Sequence, residues 1–183
     1  MATISTSLTF ECDVCNERHE IPLNLGFSIP DYVNKLLPWE REEKCKSSAD
    51  WCIVEDRFFY LRGCLEVPIQ GTDKIFSWGV WTTVSEDDFD ATMDLWNDQA
   101  RVDEPDYIGS LANSLPLYSE TRNLPLAVRT RAIGDRPALN LQESSHPLCT
   151  EQREGMTMER AIELAKLVLH GQSTNPWSHL CER

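Results

Sequence analysis

The sequence predicts an α+β protein with a single antiparallel sheet of about five to six strands, two main helices and an N-terminal Cys-x-x-Cys knuckle. Three observations predict this class. Residues 51–84 alternate between two faces as three successive strands do, and residues 124–142 have the pattern of a further hairpin. Two other segments carry apolar residues at helical spacing, and these helices are expected to pack on the sheet.

The central stretch, residues 51–84, is divided into three strands by turn signals at residues 55–57 and 70–73. In its middle strand one face is apolar and the opposite face is more polar, with period two. The apolar row is Phe59, Leu61, Leu65, Val67 and Ile69, with Gly63 as a gap, and the opposite row is Phe58, Tyr60, Arg62, Cys64 and Glu66. A glycine inside a strand often marks a bulge or a close approach of backbones, so a bend is expected at Gly63.

The remaining elements follow from local signals along the chain. Pro30 opens a short helix, and residues 39–48 form a charged, solvated stretch. Ser85 begins a helix that runs to about residue 97, because a hydroxyl followed three residues later by a carboxylate resembles a capping box. Residues 107–115 have a weak strand pattern. Thr157 caps the last helix, residues 158–170, which stops at Gly171.

Length and composition predict one domain over residues 1–171 and a mobile tail over residues 172–183. The net charge of −13 argues against a nucleic-acid-binding surface, because phosphate contacts need clustered lysine and arginine. It is compatible with a well-solvated acidic protein or with a basic protein partner. The sequence contains no apolar run that could span a membrane and no recognisable signal peptide. Seven irregularly spaced cysteines do not resemble a secreted disulfide framework, so the cytoplasm is the expected location.

The N-terminal knuckle, residues 10–19, is the clearest candidate for a metal site. Cys12 and Cys15 are separated by two residues, which lets two thiolates converge on one ion, and His19 is a suitable third ligand. A structural zinc ion is therefore expected, although a metal-free knuckle or a redox role fits the same motif. The fourth ligand is open, and the alternatives are Cys52, His146 and Cys149.

A second group of residues has the chemistry of a polar site. His146 is a candidate acid or base, and Arg62 and Arg153 are candidate anion-binding residues. Glu66 or Glu151 is a candidate for orienting the histidine. Trp78 and Trp81 are further candidate binding residues. The competing interpretation is that these side chains form ordinary ion pairs or satisfy buried carbonyl groups.

Several motifs together give the chain a family resemblance. They are Phe10-x-Cys12-x-x-Cys15-x-x-x-His19, residues 50–54, 62–69 and 76–81, Leu115-Pro116-Leu117-Tyr118, Arg136-Pro137, and His146-Pro147-Leu148 with residues 151–155. With them the chain resembles the bacterial domain-of-unknown-function family 2199. The resemblance supplies motifs without an established chemistry.

Three hypotheses about function remain open on the sequence. The favoured one is a small acidic cytosolic binding protein without catalytic activity, such as an adaptor or an immunity-type protein that covers a basic surface. The second is a hydrolase-like enzyme that uses His146 with Arg62 and Glu66. The third is a protein whose structural zinc holds the N-terminus on the sheet, and it is compatible with the first.

Overall fold

A computed structural model describes residues 7–171 of the chain. Groups of three or four strands are separated by short helices, and the longest helix comes last. The strands are β1 Thr9–Glu11, β2 Arg18–Glu20, β3 Asn24–Gly26, β4 Cys45–Ser47, β5 Trp51–Val54, β6 Phe58–Pro68, β7 Ile75–Val84, β8 Tyr107–Leu111, β9 Pro125–Arg129 and β10 Ala138–Leu141, and the helices are α1 Asp31–Lys35, α2 Pro38–Lys44, α3 Glu86–Asp94, α4 Pro147–Glu154 and α5 Met158–His170, with a 3₁₀ helix at Gln99–Asp103. Among these residues no helix is long and apolar enough to cross a membrane.

The three central strands predicted from residues 51–84 are confirmed. Strands β5, β6 and β7 pair antiparallel in chain order, and β6 and β7 remain in register from the Phe59–Val84 pair to the Pro68–Ile75 pair. The hairpin predicted over residues 124–142 is also confirmed, since β9 and β10 pair antiparallel along four residues. These local pairings follow from alternating patterns joined by short turns.

The predicted single antiparallel sheet is wrong. Strands β6 to β10 pair in the order β6-β7-β8-β9-β10, and β10 returns to β6, so these five strands form a closed barrel within an eight-stranded sheet. The closing contact is parallel and joins Ala138 to Cys64. It is reinforced by the Cys64 amide, which donates to the Pro137 carbonyl at 2.8 Å. Closure pairs edges that an open sheet would leave exposed.

Short strands outside the barrel bring the number of described strands to ten, more than the five to six predicted. Strand β3 adds parallel to β7, and β5 and β4 continue the sheet from the other side of β6. Strands β1 and β2 form a separate two-stranded antiparallel sheet that contains the knuckle. All of these except β5 are only three residues long, which is too short for an alternating pattern to predict.

The two main helices begin where their caps predict. Ser85 Oγ accepts a hydrogen bond from the Asp88 amide, and Thr157 Oγ1 accepts one from the Arg160 amide. Helix α3 ends at Asp94 rather than near residue 97, whereas α5 has the predicted bounds. Helix α4 was not predicted as a helix; His146 caps it and Pro147 occupies its first turn.

The barrel strands and helices α1, α4 and α5 contribute to one continuous apolar core. Its largest fully buried side chains include Trp78, Trp81, Phe76 and Leu65. A smaller cluster lies under α3, where the Phe89 ring packs 5.3 Å from that of Phe59. The single domain predicted over residues 1–171 stays a prediction, and the predicted tail, residues 172–183, lies outside the described residues.

Burial of Tyr60 in β6 predicts a loss of stability in alkali. The phenol is 5% exposed, and its burial, with smaller effects from Cys52, Tyr32 and Cys45, raises its pKa to about 12. An unfolded tyrosine ionises near pH 10, so between about pH 10 and 12 only the unfolded state loses this proton. The Tyr60 contribution should therefore be complete at about pH 9 and fall by roughly 1 kcal/mol as the pH rises from 9 to 11.

The measurement is urea denaturation of the wild type and of Tyr60→Phe at both pH values. The wild type should lose roughly 1 kcal/mol more than the variant over this interval. Equal losses in the two proteins would contradict the prediction.

Candidate metal centre

The knuckle is formed by the turn between β1 and β2. The Cys12 amide donates to the Glu17 carbonyl and the Asn16 amide donates to the Cys12 carbonyl, both at 2.8 Å. Asn16 takes the left-handed conformation with φ of 58°, which asparagine tolerates better than most residues. The tight turn places Cys12 and Cys15 beside His19, which lies in β2 opposite Phe10.

The fourth side chain at the knuckle comes from the other end of the described chain. His170 is the last residue of α5, and its Nε2 lies 3.1 Å from Cys12 Sγ. His19 Nε2 lies 3.0 Å from Cys15 Sγ. The four ligand atoms of Cys12, Cys15, His19 and His170 all lie within 4.8 Å of one another.

This arrangement matches the requirements of a tetrahedral metal site. With metal–sulfur bonds of about 2.3 Å and metal–nitrogen bonds of about 2.0 Å, ligand atoms in a tetrahedron are roughly 3.3–3.8 Å apart. The observed sulfur–nitrogen distances of 3.0 and 3.1 Å are a few tenths of an ångström shorter, so a small outward adjustment would admit an ion. The group could therefore hold one metal ion with two sulfur and two nitrogen ligands.

The pKa values of the two cysteine thiols are shifted in opposite directions. Burial opposes ionisation of Cys12, but the backbone amides of Cys15 and Val14 and the side chain of His170 outweigh it and lower the pKa of this thiol to about 7. Burial raises the pKa of the Cys15 thiol, and the neighbouring Cys12 adds to that effect. Backbone amides directed at a sulfur stabilise the thiolate, which is the form that binds a metal ion.

An ion pair holds α5 against the knuckle next to the four ligands. Lys166 Nζ lies 2.6 Å from a carboxylate oxygen of Asp13. Lys166 precedes His170 by four residues, so both side chains project from the same face of α5. The rings of His19 and His170 meet edge to face with centroids 6.0 Å apart. The helix is thus oriented so that its last residue reaches the two cysteines.

The three side chains considered as the fourth ligand are not in the group of four. Cys52 is buried in β5, and its burial, with the neighbouring Cys45, raises the pKa of its thiol to about 12. Cys149 Sγ lies 3.1 Å from Ser144 Oγ. His146 Nε2 lies 3.0 Å from Ser119 Oγ. No local pattern indicates His170 as a ligand, because a histidine beside a helix-ending glycine is typical of an exposed helix terminus.

The polar residues considered as a catalytic group have separate partners. Both oxygens of Glu66 accept hydrogen bonds from Arg131 at 2.9 Å. Arg62 is 9% exposed, and its Nη1 donates to the Ala49 carbonyl at 3.4 Å. No hydrogen bond or ion pair within residues 7–171 joins His146 to either of them, so their proposed cooperation finds no support in these contacts.

The hydrogen bonds of His146 also define its tautomer. Nδ1 accepts from the Leu148 amide at 3.1 Å as part of the α4 cap, so the proton of the neutral ring is on Nε2. Nε2 then donates to Ser119 Oγ. A histidine that activates a serine must instead accept the hydroxyl proton. The Ser119–His146 pair therefore lacks the arrangement of a nucleophilic dyad.

The other predicted binding residues lie in two different settings. Trp78 and Trp81 are at most 1% exposed, and Trp81 Nε1 donates to the Phe27 carbonyl within the core. Arg153 is exposed on α4 and pairs with Glu143 and Glu154. The tryptophans contribute to packing, whereas Arg153 belongs to a solvated ion-pair network.

Comparison with protein families identifies a match over most of the chain. A family model described as an uncharacterised protein conserved in bacteria (DUF2199) matches residues 11–156. The match includes Cys12, Cys15 and His19 and ends before α5. No curated protein matches the chain, and no solved structure matches it.

Proposed function

Since the chain belongs to the DUF2199 family of uncharacterised proteins conserved in bacteria, we propose a function from its geometry: a non-catalytic binding protein whose knuckle is held by a structural zinc ion. The observation that carries this proposal is the group of two cysteines and two histidines whose ligand atoms lie within 4.8 Å of one another. Thiolate and imidazole ligands in a tetrahedron suit zinc. Four protein ligands leave no open position for a substrate, which is typical of a structural site.

The proposed role of zinc is to join two weakly attached parts of the molecule. An isolated two-stranded hairpin such as β1–β2 is marginally stable in water. Zinc would link it to the end of α5 across a separation of 158 residues. Closing so long a loop restricts the unfolded chain, and the metal–ligand bonds stabilise the folded one.

The binding role draws on charge and on the described side chains. The net charge of −13 favours a basic protein partner, as expected for an adaptor or an immunity-type protein. The hydrogen bonds of His146 and Glu66 argue against the alternative hydrolase. We place the protein in the cytoplasm, where the six described cysteines, none of them in a disulfide, would stay reduced.

The metal content of purified protein tests the proposal. Wild-type protein purified under reducing conditions is expected to contain close to one zinc ion per chain. Removal with a strong chelator should lower the melting temperature by about 10 °C, because zinc at a thousandfold excess over its Kd contributes about 4 kcal/mol. Elemental analysis and thermal denaturation give the two readouts.

Two cysteine variants separate the knuckle from the other thiols. Cys12→Ser is expected to lose most of the zinc, whereas Cys45→Ser, in β4 away from the knuckle, should keep it. Zinc-free wild-type protein, or equal zinc content in the two variants, would refute the metal site.

A further inference from the structure

A cleft on the polar side of β6 and β7 is lined by several arginines, although the protein as a whole is acidic. It has a volume of about 570 Å³ and lies between these strands, residues 96–101 and the β9–β10 loop. Its charged lining residues are Arg62, Arg101, Arg131, Arg136, Asp50 and Asp135. Four guanidinium groups thus face two carboxylates in a chain whose net charge is −13.

Two of these arginines are balanced by carboxylates. Arg131 forms a two-pronged ion pair with Glu66, with both contacts at 2.9 Å. Arg136 Nε donates to Asp50 at 2.7 Å. With Glu66 counted beside the lining, four guanidinium groups and three carboxylates surround the cleft among residues 7–171.

Arg101 is a buried guanidinium whose hydrogen bonds are incomplete. The residue is 5% exposed, and its Nη1 donates to the Trp96 carbonyl at 2.8 Å. The guanidinium lies 5.4 Å from the centre of the Trp96 ring. Its buried Nε has no hydrogen-bond partner within residues 7–171, and no carboxylate there lies within ion-pair distance of this side chain.

A buried guanidinium without a counter-charge is costly, because arginine cannot relieve the cost by losing a proton. An anion in the cleft would supply the missing charge. Arginine suits carboxylate and phosphate groups in particular, since its planar donors match two oxygens at once. The buried guanidinium of Arg101 therefore favours an oxyanion over a cation or a neutral ligand.

The rest of the lining indicates an organic ligand larger than a simple ion. A volume of 570 Å³ lies within the range of small-molecule sites, roughly 300–1,000 Å³. Asn24, Ser77 and Asn97 add neutral hydrogen-bonding groups, and Trp96 adds an aromatic surface. We propose that this cleft binds a small organic molecule through a carboxylate or phosphate group held by Arg101 and Arg131.

The proposed small-molecule site goes beyond the proposed function and does not depend on the metal. None of the four candidate metal ligands lines the cleft. Loss of zinc binding would leave the cleft proposal standing, and the absence of anion binding would leave the metal proposal standing.

Calorimetric titration with citrate, pyrophosphate and AMP at low ionic strength tests the cleft. At least one of the three is expected to bind saturably, and added salt should weaken the binding. Citrate alone would indicate a carboxylate ligand, and pyrophosphate or AMP would indicate a phosphate ligand. The absence of saturable binding for all three would overturn the proposal.

Four variants locate the binding. Arg101→Gln should weaken it at least tenfold, and Arg131→Gln, at the more exposed rim, provides the same test if the first variant does not fold. Glu66→Gln should strengthen it severalfold by releasing the Arg131 donors. The control is Arg129→Gln, an exposed arginine paired with Asp106, which should leave it unchanged. Binding that persists in folded Arg131→Gln and weakens in Glu66→Gln would overturn the assignment.

Discussion

His170→Ala is expected to bind zinc at least a hundredfold more weakly than the wild type and to melt about 5–10 °C lower. The substitution removes the only ligand that α5 contributes, and Cys12, Cys15 and His19 alone leave one tetrahedral position to water. The link between the β1–β2 hairpin and α5 is lost with it. Competition with a chromophoric chelator measures the affinity, and calorimetry measures the melting temperature.

The matched control for this prediction is His146→Ala. This histidine caps α4 and contacts Ser119, so its loss should cost some stability while zinc affinity stays at the wild-type value. If His170→Ala retained wild-type affinity and His146→Ala did not, the ligand set would be wrong.

Gly63→Ala is expected to destabilise the protein by about 3 kcal/mol, or about 5–10 °C in melting temperature. A β-carbon at residue 63 would lie 2.6 Å from Leu139 Cγ and 2.9 Å from the Pro137 carbonyl oxygen. The backbone oxygen belongs to the segment that closes the barrel against β6, so it cannot move away without weakening that closure. Urea denaturation measures the loss.

Two further variants test whether the loss comes from the close approach at residue 63. Gly134→Ala meets open space and carries only the strain of a positive φ, which costs about 1 kcal/mol. Gly63→Ala combined with Leu139→Ala should be less destabilised than the sum of the two single variants, because the truncated leucine makes room for the new β-carbon. Equal losses for Gly63→Ala and Gly134→Ala would contradict the close approach.

The parts of the fold that could be predicted are those encoded by neighbouring residues. The alternation in residues 51–84, the hairpin over residues 124–142 and the caps at Ser85 and Thr157 all act within a few positions. The barrel could not be predicted because its closing ladder is a single parallel pair, Ala138 with Cys64. Gly63 marked the place of the close approach without indicating the approaching strand.

The candidate metal site could also be predicted only in part. Cys12, Cys15 and His19 lie within eight residues, so their motif indicated three ligands. His170 is brought to them only by the packing of α5, which no local pattern encodes. Arg101 was missed for a related reason. It lies in a 3₁₀ helix whose burial depends on how the segment after α3 folds over the barrel.

We propose that the two ends of the described chain meet at one zinc ion. X-ray absorption at the zinc edge of freshly purified protein tests it most directly, because it counts the sulfur and nitrogen ligands of the bound metal. We expect two sulfur ligands at about 2.3 Å and two nitrogen ligands at about 2.0 Å. A zinc ion surrounded by oxygen ligands, or protein that binds no zinc at all, would contradict it.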